Sequence, residues 1–202
     1  MEKIAAIILA AGNSSRFGRA KQLVEFEGNT LLGRAIDAAV RVKCEPIIVI
    51  VGASAAEIVA RLDGSRVQFT ENPNWEQGIG SSIRAGIDQM QKTAPAASAV
   101  LLMVSDQPLV GERQLSRLVY AREKTGKPLV CSQYAGTVGV PAIFGREFFG
   151  ELMELDQTGA KKLLIVHSDQ CVQVRMPEAE RDIDIPADFG ALQDASLQRG
   201  GS

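Results

Sequence analysis

This sequence predicts a three-layer α/β/α domain built on a mostly parallel sheet. Short runs rich in Val, Ile and Leu recur along the chain, as strands buried on both faces require. Amphipathic stretches of helical period separate them, which is the rhythm of βα units. A length of 202 residues suffices for one such domain with a substantial core, and is too short for two ordinary ones.

The strand runs fall at 3–9, 46–51, 66–70, 97–104 and 128–132. Between the first two, residues 30–42 place Leu31, Leu32, Ala35, Ile36, Ala39 and Val40 on one helical face, with Thr30 as N-cap. Ser54-Ala55-Ala56-Glu57 has the form of a capping box and opens a short helix to Leu62. Residues 82–91 and 112–124 complete the first helical set. After Tyr134 the rhythm changes. Residues 135–140 read as a Gly-rich turn, 141–144 as a short strand, 146–155 and 159–167 as helices, 171–176 as a late strand and 187–192 as a closing helix. A single domain is expected over 1–193, with 194–202 as a frayed tail.

Composition narrows the partners. Apolar residues make up 46% and charged residues 23%, with a net charge of −2. That balance gives no reason to expect nucleic acid or an anionic membrane as partner, and no apolar run reaches transmembrane length. Cys44, Cys131 and Cys171 are three, widely spaced, without a Cys-x-x-Cys, and the N-terminus enters a strand at once without a secretory signal. A reducing cytoplasm with buried or incidental thiols is expected. His167 is the single histidine and follows Leu163-Leu164-Ile165-Val166 at a helix end, where a structural, capping role is expected. A histidine-rich zinc site is excluded by count.

The chemistry points to polyphosphate. Residues 9–21 read Leu-Ala-Ala-Gly-Asn-Ser-Ser-Arg-Phe-Gly-Arg-Ala-Lys, directly after the apolar run 4–8. Small residues at a strand end let backbone approach an anion, and exposed N–H groups bind its oxygens. The backbone of Leu9, Ala10, Ala11 and Gly12 is expected to hold base and phosphates, with Arg16 and Lys21 neutralising the triphosphate. The loop lacks Gly-Lys-Ser/Thr, so it is not a P-loop, and it lacks the Gly-x-Gly-x-x-Gly spacing of a dinucleotide site. Ser105-Asp106-Gln107-Pro108 also follows an apolar strand, and ligands bind beyond the carboxyl ends of such strands. Asp106 is the first candidate ligand for Mg²⁺, which takes one or two carboxylates and fills its shell with phosphates and water.

Leu-Ala-Ala-Gly-x-Ser-x-Arg-Phe-Gly-x-x-Lys-Gln resembles the signature of nucleotidyltransferases in the molybdenum-cofactor cytidylyl- and guanylyltransferase family. It is more distantly similar to sugar-nucleotide pyrophosphorylases. Further blocks match in the family's order: Asn72 to Gly78 with Ser81-Ser82-Ile83, Asp106-Gln107-Pro108, Gly139-Val140-Pro141 with Phe144, and Asp182-Ile183-Asp184-Ile185-Pro186. The resemblance implies a Rossmann-like nucleotidyltransferase fold of the GT-A-like kind. It implies a nucleotide-binding half over 1–133 and an acceptor-binding half over 134–193.

By the same resemblance Asn72 and the stretch Gly78, Ser81 and Ser82 approach base and ribose, with Gly78 and Gly80 allowing close passage. Ser81 is alternatively the N-cap of the next helix, and Trp75 either a stacking platform or a cover over the loop. Gly139 and Pro141 line the acceptor pocket. Asp184 holds the second metal position, with Asp182 as the alternative. Where the family has Thr after that aspartate this chain has Ile185, and Gln157 and Lys161 stand where the family has Asp and Arg. Lys lacks the planar fork of Arg, so acceptor identity is the open point.

The implied reaction transfers a nucleoside monophosphate, CMP from CTP by the Leu-Ala-Ala-Gly form of the loop, to the phosphate of a molybdopterin-type acceptor. A phosphate monoester is already ionised near neutral pH, so no general base is required. Catalysis then rests on positioning and charge neutralisation by Mg²⁺, Arg16, Lys21 and Asp106. A molybdenum oxidoreductase or its maturation factor is an implied partner. Rival readings are a transferase for another phosphorylated acceptor such as a sugar phosphate, a GTP-using guanylyltransferase, and a nucleotide-binding regulatory module without turnover.

Overall fold

The computed structural model describes residues 3–62, 64–183 and 188–190. In chain order the elements are β1 (Ile4–Ala10), a small hairpin of β2 (Glu25–Phe26) and β3 (Asn29–Thr30), α1 (Leu31–Arg41), β4 (Ile47–Val51), α2 (Ala55–Arg61), β5 (Gln68–Glu71) and α3 (Ile79–Thr93). There follow β6 (Ala99–Val104), α4 (Glu112–Thr125), β7 (Leu129–Tyr134), β8 (Thr137–Gly145), α5 (Phe149–Met153), α6 (Lys161–Val166) and β9 (Cys171–Arg175). Seven strands form one sheet in the order β5-β4-β1-β6-β8-β7-β9. All neighbours are parallel except β8, which runs antiparallel to both β6 and β7.

Alternation along β1 creates the two cores. Ile4, Ala6, Ile8 and Ala10 face a layer containing α1, α2 and α4. Ala5, Ile7 and Leu9 face α3, α5 and α6. Every residue of β1 and β4 is buried, which explains their unbroken apolar sequence. Helix α1 begins as its sequence predicts: the Gly33 N–H donates to Thr30 Oγ1 at 3.0 Å.

Several boundaries differ from the sequence reading, each for a local reason. Ser54 does precede α2, yet its side chain caps nothing, because its backbone (φ −114°, ψ 29°) is not the extended conformation that aims an N-cap oxygen down the helix. Helix α3 starts at Ile79 rather than at 82, with Gly78 as its N-cap at φ 92°. The expected turn over 135–140 shrinks to Ala135 and Gly136, both left-handed at φ 47° and 71°, and joins Tyr134 to Thr137 as a two-residue hairpin. Strand β8 then runs nine residues through Gly139 and Pro141. A shift of register between Cys131 and Ser132 lets Pro141 sit in a central strand. The helix expected over 146–155 is a 3-10 turn at Arg146–Phe148 followed by the short α5.

Strand order sets the site. From β1 the chain moves to β4 and β5 on one side, then returns with β6 on the other. Leu9 pairs with Val104, so the loops leaving β1 and β6 open side by side. This reversal of strand order is the switch point at which open α/β sheets bind ligands.

Candidate active site

A cleft of about 350 Å³ lies at that switch point. Leu9, Ala10, Ala11 and Gly12 form its floor, Lys21 and Asp106 one wall, and Gly78, Ile79 and Ser82 from the start of α3 the other. Eight of the residues expected from sequence therefore meet in one cleft: Leu9, Ala10, Ala11, Gly12, Lys21, Gly78, Ser82 and Asp106. Lys21 Nζ donates to Asp106 Oδ2 at 2.7 Å across 85 positions of sequence. It also donates to the Ile183 carbonyl at 3.1 Å. The Ile183 N–H in turn donates to the Asp106 carbonyl at 3.0 Å. The Asp182-Ile183 end of the C-terminal motif is thus fastened beside Asp106. Asp184 itself lies outside the described residues, as do residues 194–202 of the expected tail.

Gln22, which sequence reasoning passed over, gives the loop its shape. It is 1% exposed, and its Nε2 donates to the carbonyls of Ala10 (2.9 Å) and Gly12 (3.0 Å). Its Oε1 accepts from Ser14 Oγ, which itself accepts from the Lys21 N–H. A buried amide with this many partners is costly to remove. Its one sequence signal is position, immediately after Lys21 in the quoted block.

Other candidates sit elsewhere. Asn72 was expected at the base, but it is buried beneath the cleft wall: Nδ2 donates to Ser81 Oγ (2.9 Å) and Ser82 Oγ (3.0 Å), and Oδ1 accepts from the Asn74 N–H. Its amide is committed to holding Ser82 in place. Ser81 falls inside the first turn of α3 and is not its N-cap; its hydroxyl lies at hydrogen-bond distance from the Asn74 and Gly78 carbonyls. Trp75 lines the cleft and lies against Gly52, where a Cβ would stand 2.8 Å from its Cγ. Arg16 is exposed on the 11–20 loop and does not line the cleft, while Arg19 stacks on Phe17 with 5.9 Å to the ring centroid. His167 lies at the end of α6, where its ring is 2.9 Å from Glu151 Oε2 and edge-on to Phe148.

Gly139 and Pro141 are on β8 and outside the cleft lining, yet tied to it. Gln107, next to Asp106, donates from Nε2 to the carbonyls of Val140 (3.3 Å) and Ala179 (2.8 Å). Tyr134 Oη donates to the Val140 carbonyl at 3.2 Å, and fills the space a side chain at Gly139 would need. Burial, reinforced by the nearby Asp182 charge, pushes the Tyr134 phenol above its ordinary range, so it stays a neutral donor. Tyr134 is a second residue that sequence gave no reason to single out.

The glycines of the 78–80 stretch answer to protein, not only to ligand. A Cβ on Gly78 would stand 3.2 Å from the Gln157 carbonyl oxygen, and one on Gly80 would overlap the Asp156 backbone. Asp156 and Gln157, assigned to the acceptor half by sequence, therefore buttress the opposite wall of the cleft. Gly80→Ala is expected to lower the unfolding free energy by about 1–3 kcal/mol, because backbone must move to admit the methyl. Urea denaturation of the two proteins checks this.

The positive loop yields a further expectation. Arg16→Ala should raise the apparent nucleotide KM strongly, while an exposed site changes stability by only about 0.5 kcal/mol. Arg19→Ala should be nearly silent in turnover. Equal kinetic effects would mean that the loop acts as a diffuse positive patch.

Among the described residues no cluster of three or more His, Cys, Asp or Glu side chains is placed to hold a metal ion, and no helix is long and apolar enough to cross a membrane. Asp106 and Glu76 are the carboxylates that line the cleft, and Asp106, set beside Lys21, suits Mg²⁺, which takes one or two carboxylates and fills its remaining shell with phosphate and water oxygens.

Comparison with known proteins agrees with the geometry. The family model described as MobA-like NTP transferase domain matches residues 6–172. The molybdenum cofactor cytidylyltransferase of Escherichia coli K12 is 26% identical over 191 residues, covering 94% of this chain and 95% of that protein. The bifunctional protein GlmU of Sorangium cellulosum is 28% identical over 151 residues, 71% of this chain, but the match spans only 31% of its length. Among solved structures, Rv0371c of Mycobacterium tuberculosis H37Rv superimposes with a TM-score of 0.79 at 26% identity, over 96% of this chain and 98% of that one. Its complex with manganese gives a TM-score of 0.71 at 28% identity, over 94% and 97%.

Proposed function

The chain belongs to the MobA-like NTP transferase domain family, and we propose that it transfers CMP from CTP to the phosphate of a molybdopterin-type acceptor, releasing pyrophosphate. The observation that carries this reading is the Lys21–Asp106 pair, 2.7 Å apart, set in a small-residue loop at the switch point of the sheet. The near full-length likeness to a molybdenum cofactor cytidylyltransferase supports the acceptor class and the base.

In this mechanism an acceptor phosphate oxygen, already ionised, forms the new bond to the α-phosphorus as the bond to the β-phosphate oxygen breaks. Negative charge grows on the departing pyrophosphate. Lys21 neutralises it from the cleft wall, and Arg16 assists from the loop above. Backbone of Leu9 to Gly12, shaped by Gln22, holds base and phosphates, and Ser82 faces the nucleotide from α3. Asp106, with Asp184 as partner ligand, would hold Mg²⁺, which when bound neutralises and aligns the triphosphate. The manganese complex of a structural relative supports a divalent ion in this fold. Gly139 and Pro141 would face the acceptor, positioned through the Val140 carbonyl by Gln107 and Tyr134. Residues 1–133 are then the nucleotide half and 134–193 the acceptor half. A molybdenum oxidoreductase, or the factor that matures it, would receive the product.

Ala11 offers a direct test of the base. It is 5% exposed, its carbonyl accepts from the Ala53 N–H at 3.3 Å, and it lines the cleft floor where that floor joins the core layer of α3. A methyl there takes space that a purine needs, and one such group discriminates by about 1–3 kcal/mol. CTP should therefore be preferred over GTP by the native protein, and Ala11→Gly should narrow the preference without reversing it. Titrating both nucleotides against both proteins decides the point; a native preference for GTP refutes the cytidylyl reading.

A further inference from the structure

Two of the three cysteines are brought together by the sheet. Cys131 on β7 and Cys171 on β9 lie on neighbouring parallel strands whose register pairs Leu129 with Cys171 and Cys131 with Gln173. They are therefore two positions apart on one face, and both pack in the core layer that holds α5 and α6. Their Sγ atoms are 3.1 Å apart and both thiols are free. A disulfide bond is about 2.05 Å long, so joining them requires a movement of about 1 Å. Cys171 is placed to supply it: it is the first residue of an edge strand, entered from the turn Ser168–Gln170.

The two sulfurs are not equivalent. Cys131 is fully buried and Cys171 half-buried, so a reagent reaches Cys171 first. The hydrogen bond between the two sulfurs holds the Cys171 thiol below its ordinary range, while the same contact, with burial, pushes Cys131 upward. A thiolate is the attacking species in exchange. Cys44 is the internal contrast: it is buried in the opposite core layer, and burial pushes its thiol up to about 12.

We propose that Cys131 and Cys171 form a thiol–disulfide exchange site, oxidised by a low-molecular-weight disulfide of the glutathione class to an intrachain bond that joins β9 to β7. The Cys171 thiolate attacks one sulfur of the small disulfide, forming a mixed disulfide and releasing one small thiolate. Cys131 then attacks the Cys171 sulfur as the second small thiolate leaves, and its proton passes to that departing thiolate. Two protein thiols are oxidised and one small disulfide is reduced to two thiols. The bond would fasten the start of β9, the strand that leads through Met176 and Pro177–Glu180 to Ile183 at the Asp106 wall.

The test is independent of the proposed transferase activity. Reduced protein is incubated with oxidised glutathione, quenched with acid, and weighed intact before peptide mapping without reductant. The expected product is two hydrogens lighter than the starting protein, carries a Cys131–Cys171 linked peptide, and reverts with dithiothreitol. Cys131→Ser should instead accumulate one glutathionyl group on Cys171, and Cys171→Ser should stay unmodified over the same time. In the native reduced protein, alkylation of Cys171 should outpace that of Cys44 by at least about tenfold. Native protein that stays fully reduced, that stops at a stable glutathionyl adduct, or that links Cys44 overturns the proposal. The native-protein result stands even if either variant fails to fold.

Discussion

Asp106→Asn is expected to reduce turnover by about a thousandfold or more while changing nucleotide affinity by less than about tenfold. The substitution preserves the shape of the side chain and one acceptor oxygen, but removes the charge that faces Lys21 at 2.7 Å in the cleft. That charge belongs to the cleft carboxylate at the end of β6, beside Lys21, and suits a hard divalent ion. The side chains of the pair are only 14% and 21% accessible, and the amide keeps an oxygen that can accept from Lys21, so the loss of stability should stay within about 3 kcal/mol. Folding and chemistry are thus separable in one variant. Single-turnover measurement at saturating Mg²⁺, set beside a binding titration, provides the comparison, and near-native turnover would remove Asp106 from the mechanism.

Lys21→Met should produce the second largest loss, and a different one. It deletes the cation that the proposed mechanism sets against the triphosphate, so both affinity and turnover should fall, with kcat/KM lower by about a hundredfold or more. It also deletes the donor to the Ile183 carbonyl. The amide of Ile183, which donates to the Asp106 carbonyl, should then exchange faster with solvent than in the native protein. Lys21→Arg keeps the charge but brings a planar fork in place of a compact ammonium, and should recover only part of the activity. Full activity in Lys21→Arg with slow Ile183 exchange in Lys21→Met would show that the residue contributes charge alone and no anchoring.

The strands that build the cleft were legible because burial on both faces leaves an unbroken apolar run, as in β1, β4 and β6. The 10–21 loop and Asp106 could be set at the carboxyl ends of two strands in advance for the same reason, since each follows such a run; the direct Lys21–Asp106 contact appears only in the folded chain. Strand β8 was not legible in full, since Gly139 and Pro141 punctuate it, and only the bulge opposite Cys131 and Ser132 makes them compatible with a central strand. The start of α3 was missed because Gly78 caps it through a left-handed φ that no side-chain pattern announces. Gln22, Tyr134 and the support role of Asn72 depend on what the folded chain brings to them. A buried amide bonded to two carbonyls looks, in sequence, like any glutamine.

The departures at Gln157 and Lys161 had seemed to concern the acceptor alone. In the folded chain Gln157 lies against Gly78, and Asp156 against Gly80, so this segment shapes the α3 wall of the cleft. In the proposed reaction, base preference and acceptor preference would therefore share a boundary at α3.

The measurement that bears most directly on the central claim is pyrophosphate release by the intact protein with Mg²⁺. Each of the four ribonucleoside triphosphates would be supplied with and without a molybdopterin-type phosphorylated acceptor, with a sugar phosphate as the alternative acceptor. The account predicts release that requires the molybdopterin-type acceptor, is fastest with CTP, and is lost in Asp106→Asn. Release that requires the sugar phosphate instead, or nucleotide binding without release under any pairing, would contradict it.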